Sequence, residues 1–196
     1  MRIIKHRVNS LDDLISTPRH LGVEIDIRTF GLDLIVSHDP FVPGVIFSKW
    51  LENYSHDFLI VNVKEDGLEE FVMNLLEQHR VNDFFFLDQP IPSLYKTSKL
   101  WPDFCCARVS EIEPIEAALN LNVNWIWFDS ITGDWSYLHR AFEKLSEYTV
   151  KKCLVSPELH RSNSESELLA LKHSIKDLGI NFDAVCTKYP EKWERI

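Results

Sequence analysis

Apolar and amphipathic segments alternate along this 196-residue chain from its beginning almost to its end. Residues 57–65 (DFLIVNVKE) contain the clearest apolar run. Such a run is typical of a strand that is buried on both faces of a parallel sheet. In residues 67–79 the apolar side chains then recur at helical spacing, which predicts an amphipathic helix. The basic unit of the chain is therefore a buried strand followed by a helix.

This strand–helix unit occurs eight times if the extended block 22–38 is counted once. The other predicted strands lie at 3–8, 83–88, 104–110, 124–130, 150–159 and 182–190. Eight units favour a compact (β/α)8 TIM barrel over an open doubly wound sheet, whose first turn would be rich in glycine. Since no internal linker is present, we expect one domain over residues 1–196. The last helix, 164–179, is predicted to begin with a capping box at Ser164.

The composition narrows the possible partners and compartments. The net charge of −9 and the pI near 5.3 argue against a nucleic-acid partner. No run reaches the ~18 apolar residues of a membrane-spanning helix, and the start, MRIIKHRV, does not resemble a signal peptide. The four cysteines show no CxxC spacing, so we expect reduced core thiols in a cytoplasmic protein. Nothing in the sequence indicates an oligomeric state.

Polar and ionisable side chains are concentrated where the predicted strands end. In a (β/α)8 barrel these ends meet at one mouth, which is where the active sites of this fold lie. In chain order these residues are His6, Arg7, Glu24, Asp26, Arg28, His38, Asp39, Asn62, Lys64, Asp88, Arg108, Asp129, Glu158 and Lys188. We therefore expect a functional mouth rather than a purely structural scaffold.

The strand at 22–28 (GVEIDIR) is the most highly charged of these segments. Glu24, Asp26 and Arg28 alternate with aliphatic residues, so the three charges share one face of the strand. Burying them is costly unless they bind one another, a metal or a charged ligand. This face of the strand therefore predicts a ligand site.

The residue types at the predicted mouth suit phosphorus chemistry. Two histidines, His6 and His38, can act as a general acid and a general base. A pair of carboxylates, Glu24 and Asp26, can bind Mg²⁺ or Ca²⁺ through oxygen. Positive charge suited to a phosphate comes from Arg7, Lys64, Arg108 and Lys188. Together they predict phosphoryl transfer or cleavage of a small-molecule phosphodiester.

Four short motifs in the first third of the chain resemble those of the glycerophosphodiester phosphodiesterases, which belong to the phosphatidylinositol-specific phospholipase C-like barrel superfamily. The motifs are HR at residues 6–7, E-x-D at 24–26 and HD at 38–39, followed by N-x-K at 62–64. The family has E-x-K at the position of this last motif. The four occur in the family's order and at plausible spacing.

The resemblance implies a role for each matched residue. His6 and His38 would be the acid and base of a phosphodiester hydrolase. The divalent cation, Mg²⁺ or Ca²⁺, would bind Glu24 and Asp26, with Asn62 in the third ligand position. Phosphate would be held by Arg7 and Lys64. In such enzymes a neighbouring hydroxyl of the substrate attacks phosphorus, and water then opens the cyclic phosphate.

Three features depart from the family pattern. Val8 stands where glycine normally follows HR, and the segment after HD is short. Asn62 replaces a carboxylate, so the resemblance implies a weakly bound metal. Asp88 or Asp129 is a candidate for the missing carboxylate.

Other functions and structural roles remain open at this point. A non-catalytic or degenerate barrel that binds a phosphorylated small molecule is the main alternative. An aldolase-like Schiff base at Lys64 or Lys188 is a weaker one. Lys188 is expected either to pair with Glu158 or to bind a ligand. We expect the two tryptophans Trp125 and Trp127 to fill the barrel. Solvated or capping roles are expected for His20, His56, His79, His139, His160 and His173.

Overall fold

The computed structural model describes residues 1–160 and 165–194. Its strands are β1 (Arg2–Lys5), β2 (Gly22–Phe30), β3 (Asp33–Val36), β4 (Val45–Ile46), β5 (Leu59–Val63), β6 (Phe84–Leu87), β7 (Cys106–Val109), β8 (Trp125–Phe128), β9 (Lys151–Val155) and β10 (Ala184–Thr187). Its α-helices are α1 (Leu11–Ser16), α2 (Phe47–Leu51), α3 (Glu69–Gln78), α4 (Ile91–Leu100), α5 (Ile115–Leu119), α6 (Tyr137–Leu145) and α7 (Glu165–Asp177). Ser164, where a capping box is predicted, lies outside the described residues.

Eight of the strands run parallel around a barrel. The order is β1, β2, β5, β6, β7, β8, β9 and β10, and β10 pairs again with β1. The joint between β6 and β7 is a single bridge from Phe86 to Cys105. Helices or short connections separate consecutive parallel strands, which confirms the predicted (β/α)8 barrel.

The extended block 22–38 forms a hairpin that rises from the barrel wall. β2 pairs with β5 as far as Ile27, and its last residues pair with β3 in antiparallel register. The turn is made at Gly31, whose φ of 65° suits glycine. As a result, His38 reaches the mouth from the returning arm of the hairpin rather than from a strand of the barrel wall.

The barrel interior is filled by large side chains. Trp125 and Trp127 are both buried and pack with Phe58 and Phe85, which confirms their predicted structural role. All four cysteines are free and buried, as expected for reduced core thiols. Burial raises the pKa of the Cys105 thiol to about 12, so this group is inert near neutral pH. The cytoplasmic location that we infer from these thiols stays a prediction.

Aliphatic side chains from the outer faces of the strands pack under the helices. One such cluster joins the strands of the first half of the barrel to α1, α2 and α3. Another joins the second half to α5, α6 and α7. None of the helices within 1–160 and 165–194 has the length and hydropathy required to cross a bilayer.

Candidate active site

The loop after β1 brings two polar groups to the buried carboxylate of Glu24. The backbone N–H of Arg7 donates to Glu24 Oε2 at 2.8 Å, and His6 Nε2 lies 3.7 Å from the same oxygen. This geometry requires a left-handed backbone at Arg7, with φ of 56°. Val8, the next residue, is fully buried under the loop. Its side chain therefore extends the core beneath the site.

Glu24 itself lies on the inward face of β2 and is fully buried. The side-chain amide of Asn62, from the neighbouring β5, donates to Glu24 Oε1 at 3.2 Å. Burial, reinforced by the charge of Asp26, raises the pKa of Glu24 to about 7. Near neutral pH the carboxyl group is therefore close to half protonated.

Asp26 lies two residues further along the same face and is also fully buried. Its Oδ2 accepts a hydrogen bond of 2.7 Å from Asn9, and its backbone N–H donates to the Asn9 side-chain oxygen at 3.0 Å. Lys64 Nζ is 3.2 Å from Asp26 Oδ1, and Arg7 Nε is 3.9 Å from Oδ2. A neutral amide and two cations thus compensate this carboxylate.

His6 is largely buried and lies next to cationic groups. Burial, followed by the charge of Arg7, lowers the pKa of His6 to about 3. The imidazole is therefore neutral over the physiological pH range. Its Nδ1 is buried and has no hydrogen-bond partner among the described residues. The lowered pKa also makes this ring a weaker base than an ordinary histidine.

The ring of His38 lies between a cation and an anion. Arg7 Nη2 is 2.5 Å from Nε2, and Asp39 Oδ1 is 2.8 Å from Nδ1. Because a guanidinium only donates, Nε2 accepts here and Nδ1 carries the proton that is donated to Asp39. Arg28 fixes the backbone by donating to the His38 carbonyl at 2.9 Å. Arg7 thereby connects His38 with the Glu24 and Asp26 pair.

The other side of the mouth is a chain of alternating charges. Lys64 Nζ reaches Asp88 Oδ2 at 3.7 Å, and Asp88 also accepts from Arg108. Arg108 lies 3.8 Å from Asp129 Oδ2 and 3.9 Å from Glu113 Oε2. Asp88 and Asp129 thus face Arg108, and neither contacts Glu24 or Asp26 in the described structure. Their proposed use as a third metal carboxylate gains no support from this arrangement.

Two residues of the mouth were not recognised as candidates in the sequence. Asn9 precedes Ser10, the cap of α1, and its side chain bonds Asp26 instead. His160 was expected to be solvated or capping, but its Nε2 is 2.7 Å from the buried Asp129 Oδ1. The sequence signal available for Asn9 and His160 was their position just after a predicted strand. Neither lies in a motif, so their partners were not identifiable.

Lys188 is directed at the backbone of the segment that follows β9. Its Nζ donates to the carbonyls of Glu158 at 3.0 Å and Leu159 at 3.3 Å. The Glu158 carboxylate instead accepts from the Lys188 backbone N–H and from the hydroxyls of Ser156 and Thr187. The predicted contact between these residues is therefore made through backbone groups.

The residues around Glu24 have a donor set that fits a divalent cation. Asp26 Oδ1 and Asn62 Oδ1 are buried and accept no hydrogen bond within the described structure. Asp26 and Asn62 are register partners on adjacent strands. Together with Glu24 they present hard oxygen atoms, which Mg²⁺ and Ca²⁺ prefer. No group of three or more His, Cys, Asp or Glu residues suited to a metal occurs in 1–160 and 165–194, in keeping with only two carboxylates here.

Solved structures with a similar fold are glycerophosphodiester phosphodiesterases. The one from Thermotoga maritima has a TM-score of 0.63 at 13% identity, over 98% of this chain and 96% of that one. The one from Parabacteroides distasonis scores 0.67 at 14% identity, over 96% and 83% of the two chains. The one from Agrobacterium tumefaciens scores 0.58 at 11% identity, over 97% and 98%. These similarities establish the fold as a TIM barrel.

No protein-family model and no curated protein sequence matches this chain significantly.

Proposed function

We propose that this barrel is a phosphodiester hydrolase that acts on a glycerophosphodiester-like substrate, with metal assistance and with two histidines as acid and base. The observation that carries the proposal is the convergence of the four motifs. His6, Glu24, Asp26 and Lys64 are joined by contacts of 3.2–3.7 Å or by shared partners, and Arg7 adds His38 to the group. The fold likeness to solved phosphodiesterases supports the same function.

His6 is assigned the role of the base. It would take the proton of the substrate hydroxyl as that oxygen attacks phosphorus. The ring is neutral, as a base must be, but its pKa of about 3 makes it a weak base, so this role requires that the negative charge of the bound phosphate raise that pKa. The leaving alcohol then takes a proton from His38 after that ring has been protonated. In the second stage the roles reverse, since the water that opens the cyclic phosphate must lose a proton.

Arg7 is assigned to the phosphate and controls when His38 can act. In the structure its guanidinium occupies the hydrogen-bonding position at His38 Nε2. A phosphate would draw the guanidinium away, because a charge-assisted bond to phosphate is stronger than one to a neutral ring. Nε2 would then be free to carry the proton for the leaving group. Lys64 would provide a second positive charge next to the bound phosphate.

The cation would be held by Glu24, Asp26 and Asn62. When bound, it supplies positive charge that stabilises the phosphoryl oxygens. Glu24 must lose its proton before it can serve as a ligand, and Lys64 competes for Asp26 through its 3.2 Å contact. Both features favour the weak binding that we expect for this site.

The direct test is hydrolysis of glycerophosphocholine with added Mg²⁺, Ca²⁺ or Mn²⁺ and with a chelator. We expect slow turnover that depends on the cation. A matched control is His20→Ala, because His20 is an exposed histidine remote from the motif residues. No turnover of any diester by wild type, with glycerol phosphate still bound, would refute the hydrolase.

A non-catalytic barrel that binds a phosphorylated small molecule is the second candidate. It is favoured by Asn62, whose amide donates to the carboxyl that a cation would need. It is also favoured by His38, because both of its ring nitrogens already have partners. Binding of glycerol phosphate that is lost in Lys64→Met, without turnover by wild type, would establish this alternative.

A further inference from the structure

Asn9 joins the loop after β1 to β2 through both ends of its side-chain amide. Its Nδ2 donates to Asp26 Oδ2 at 2.7 Å, and its Oδ1 accepts from the Asp26 backbone N–H at 3.0 Å. Because a backbone N–H only donates and an ionised carboxylate only accepts, the two contacts determine which end of the amide is oxygen and which is nitrogen. One side chain therefore binds both the main chain and the carboxylate of Asp26.

These two hydrogen bonds continue the contact between the first two strands beyond the end of β1. The regular pairing of β1 with β2 ends at Lys5 and Val23. Further along, the Val8 backbone N–H donates to the carbonyl of Glu24 at 2.8 Å, and the Asn9 side chain then takes the place of a backbone acceptor. The loop thus remains bonded to β2 as far as the second buried carboxylate.

The backbone on either side of Asn9 is anchored. The indole N–H of the fully buried Trp50 donates to the carbonyl of Val8 at 3.1 Å. On the other side, Ser10 caps α1 and so fixes the start of that helix. Asn9 lies between these two anchors, so its amide has little freedom to turn away from β2.

The amide occupies one oxygen of the Asp26 carboxylate and leaves the other for a ligand. Oδ1 is buried and accepts no hydrogen bond within the described residues, and Lys64 Nζ lies 3.2 Å from it. Asn9 carries no charge, so it orients the carboxylate without cancelling the negative charge that attracts a cation. Orientation and charge of Asp26 are thus provided by separate neighbours.

We propose that Asn9 is a positioning residue of the cation site, which holds Asp26 so that Oδ1 is kept for a divalent cation; this proposal rests on the proposed function. A carboxylate that is already oriented loses less conformational freedom when it binds an ion, so it binds more tightly. Asn9 itself is not a ligand, since its Oδ1 already accepts from the Asp26 backbone and its Nδ2 is a donor. With only Glu24 and Asp26 as carboxylates, the site depends strongly on the orientation of each.

The affinity for Mn²⁺, measured by isothermal calorimetry, tests this role. Asn9→Ala is expected to weaken Mn²⁺ binding about tenfold, the effect of losing one hydrogen bond to a charged group. The matched control is Ser10→Ala, which removes the neighbouring helix cap and should lower the free energy of unfolding without changing the affinity. Unchanged affinity in Asn9→Ala, or an equal loss in Ser10→Ala, would overturn the proposal.

Two further measurements separate positioning from a loss of structure. Urea unfolding with a chelator gives the stability of each variant, and Asn9→Leu, which loses both hydrogen bonds but retains a side chain of similar length, replaces Asn9→Ala if that variant does not fold. In turnover of glycerophosphocholine, the Mn²⁺ concentration that gives half of the maximal rate should rise about tenfold in Asn9→Ala. A lower rate with an unchanged half-saturating concentration would indicate a structural role and overturn the proposal.

Failure of this inference is distinguishable from failure of the proposed function. Mn²⁺ binding and Mn²⁺-dependent turnover by wild type that are both unaffected by Asn9→Ala would overturn the positioning role and leave the metal-assisted hydrolase intact. If wild type bound no Mn²⁺, the metal assistance in the proposed function and the role of Asn9 would both be wrong.

Discussion

The charged side chains on the two sides of the mouth differ in how completely they are paired. On the side of β1, β2 and β5, Glu24 and Asp26 are fully buried, and oxygen atoms of Asp26 and Asn62 accept no hydrogen bond within the described residues. On the side of β6 to β9, Arg108 is within 4 Å of three carboxylates, and Asp129 also faces His160. The first side thus keeps buried oxygen atoms without a hydrogen-bond donor, although Lys64 and Arg7 lie near Asp26, whereas the three carboxylates of the second side all have a cationic partner.

This difference indicates that the two sides of the mouth have different roles. Unsatisfied buried polar groups are costly and persist where a ligand completes them. A compensated network of ion pairs mainly holds loops in place. The proposed chemistry is thus centred on Glu24 and Asp26, and we propose that Arg108 mainly holds the strand ends together. Its predicted part in substrate binding stays a prediction.

The largest expected effect is on turnover, and it compares histidines from the two sides. His6→Ala and His38→Ala should each lower the rate by roughly 10²–10⁴-fold, since each would remove a general acid or base. His160→Ala should change the rate less than about tenfold, because that residue contacts Asp129 rather than the reacting group. Steady-state rates on glycerophosphocholine would measure this. If His160→Ala lowered the rate as much as His6→Ala, the two sides of the mouth would not differ in their contribution to turnover.

The second effect is on stability and concerns the compensated side. Arg108→Met would leave the buried Asp129 with fewer partners, and we expect the free energy of unfolding to fall by about 3 kcal/mol. Lys64→Met should cost less, because Asp26 keeps Asn9 and Arg7. Urea unfolding of both variants provides the measurement. If Lys64→Met lost more unfolding free energy than Arg108→Met, the side of Glu24 and Asp26 would depend more on its ion pair than the side of Arg108 does.

The third effect is a pH dependence that arises from Glu24. Its folded-state pKa of about 7 lies above the ordinary 4.5, so its contribution to stability is fully present below pH 4.5 and is lost as pH rises through 7. His6 acts in the opposite sense, since its depressed pKa costs stability as pH falls below 6.5. Comparison with Glu24→Gln isolates the Glu24 contribution, because the variant retains His6.

Between pH 4.5 and pH 8, wild type should lose about 3 kcal/mol of unfolding free energy relative to Glu24→Gln. Urea unfolding at these two pH values in the presence of a chelator would measure this difference. Parallel pH profiles of the two proteins would show that Glu24 has an ordinary pKa.

The smallest effect concerns the third ligand position. Asn62→Glu should tighten Mg²⁺ or Ca²⁺ binding by about tenfold, because it adds a carboxylate beside Asp26. Asp88→Glu is the matched control, since Asp88 faces Arg108 and should leave the affinity unchanged. Isothermal calorimetry would compare them. Unchanged affinity in Asn62→Glu would mean that position 62 is not a ligand position.

The sequence was sufficient to predict the barrel and the end at which the polar residues meet. Eight apolar runs mark the parallel strands, and period-two alternation at 24–28 identifies the inward face of β2. The motifs also predicted that His6, Glu24, Asp26 and Lys64 lie close together, as their contacts show, and their roles stay predictions. These features depend on local spacing, which a single sequence records.

The hydrogen-bond and ion-pair partners of the side chains at the mouth were not predictable in the same way. Arg108 was assigned to phosphate because of its position, yet its neighbours come from the loops after β6, β7 and β8. Asn9 bonds Asp26 across 17 positions of sequence, and His160 reaches Asp129 across 31. Such pairings depend on side-chain direction at converging strand ends. Residue type and strand end alone do not specify that direction.

The barrel wall is paired most weakly between β6 and β7, where a single bridge joins the two segments. Adjacent strands elsewhere around the ring are joined by two to five residue pairs. Because this joint has the fewest paired residues, we expect local opening of the barrel to begin here. The contact from Asp88 to Arg108 crosses this joint at the mouth. This ion pair therefore helps to close the mouth at the joint, and added salt should weaken its contribution.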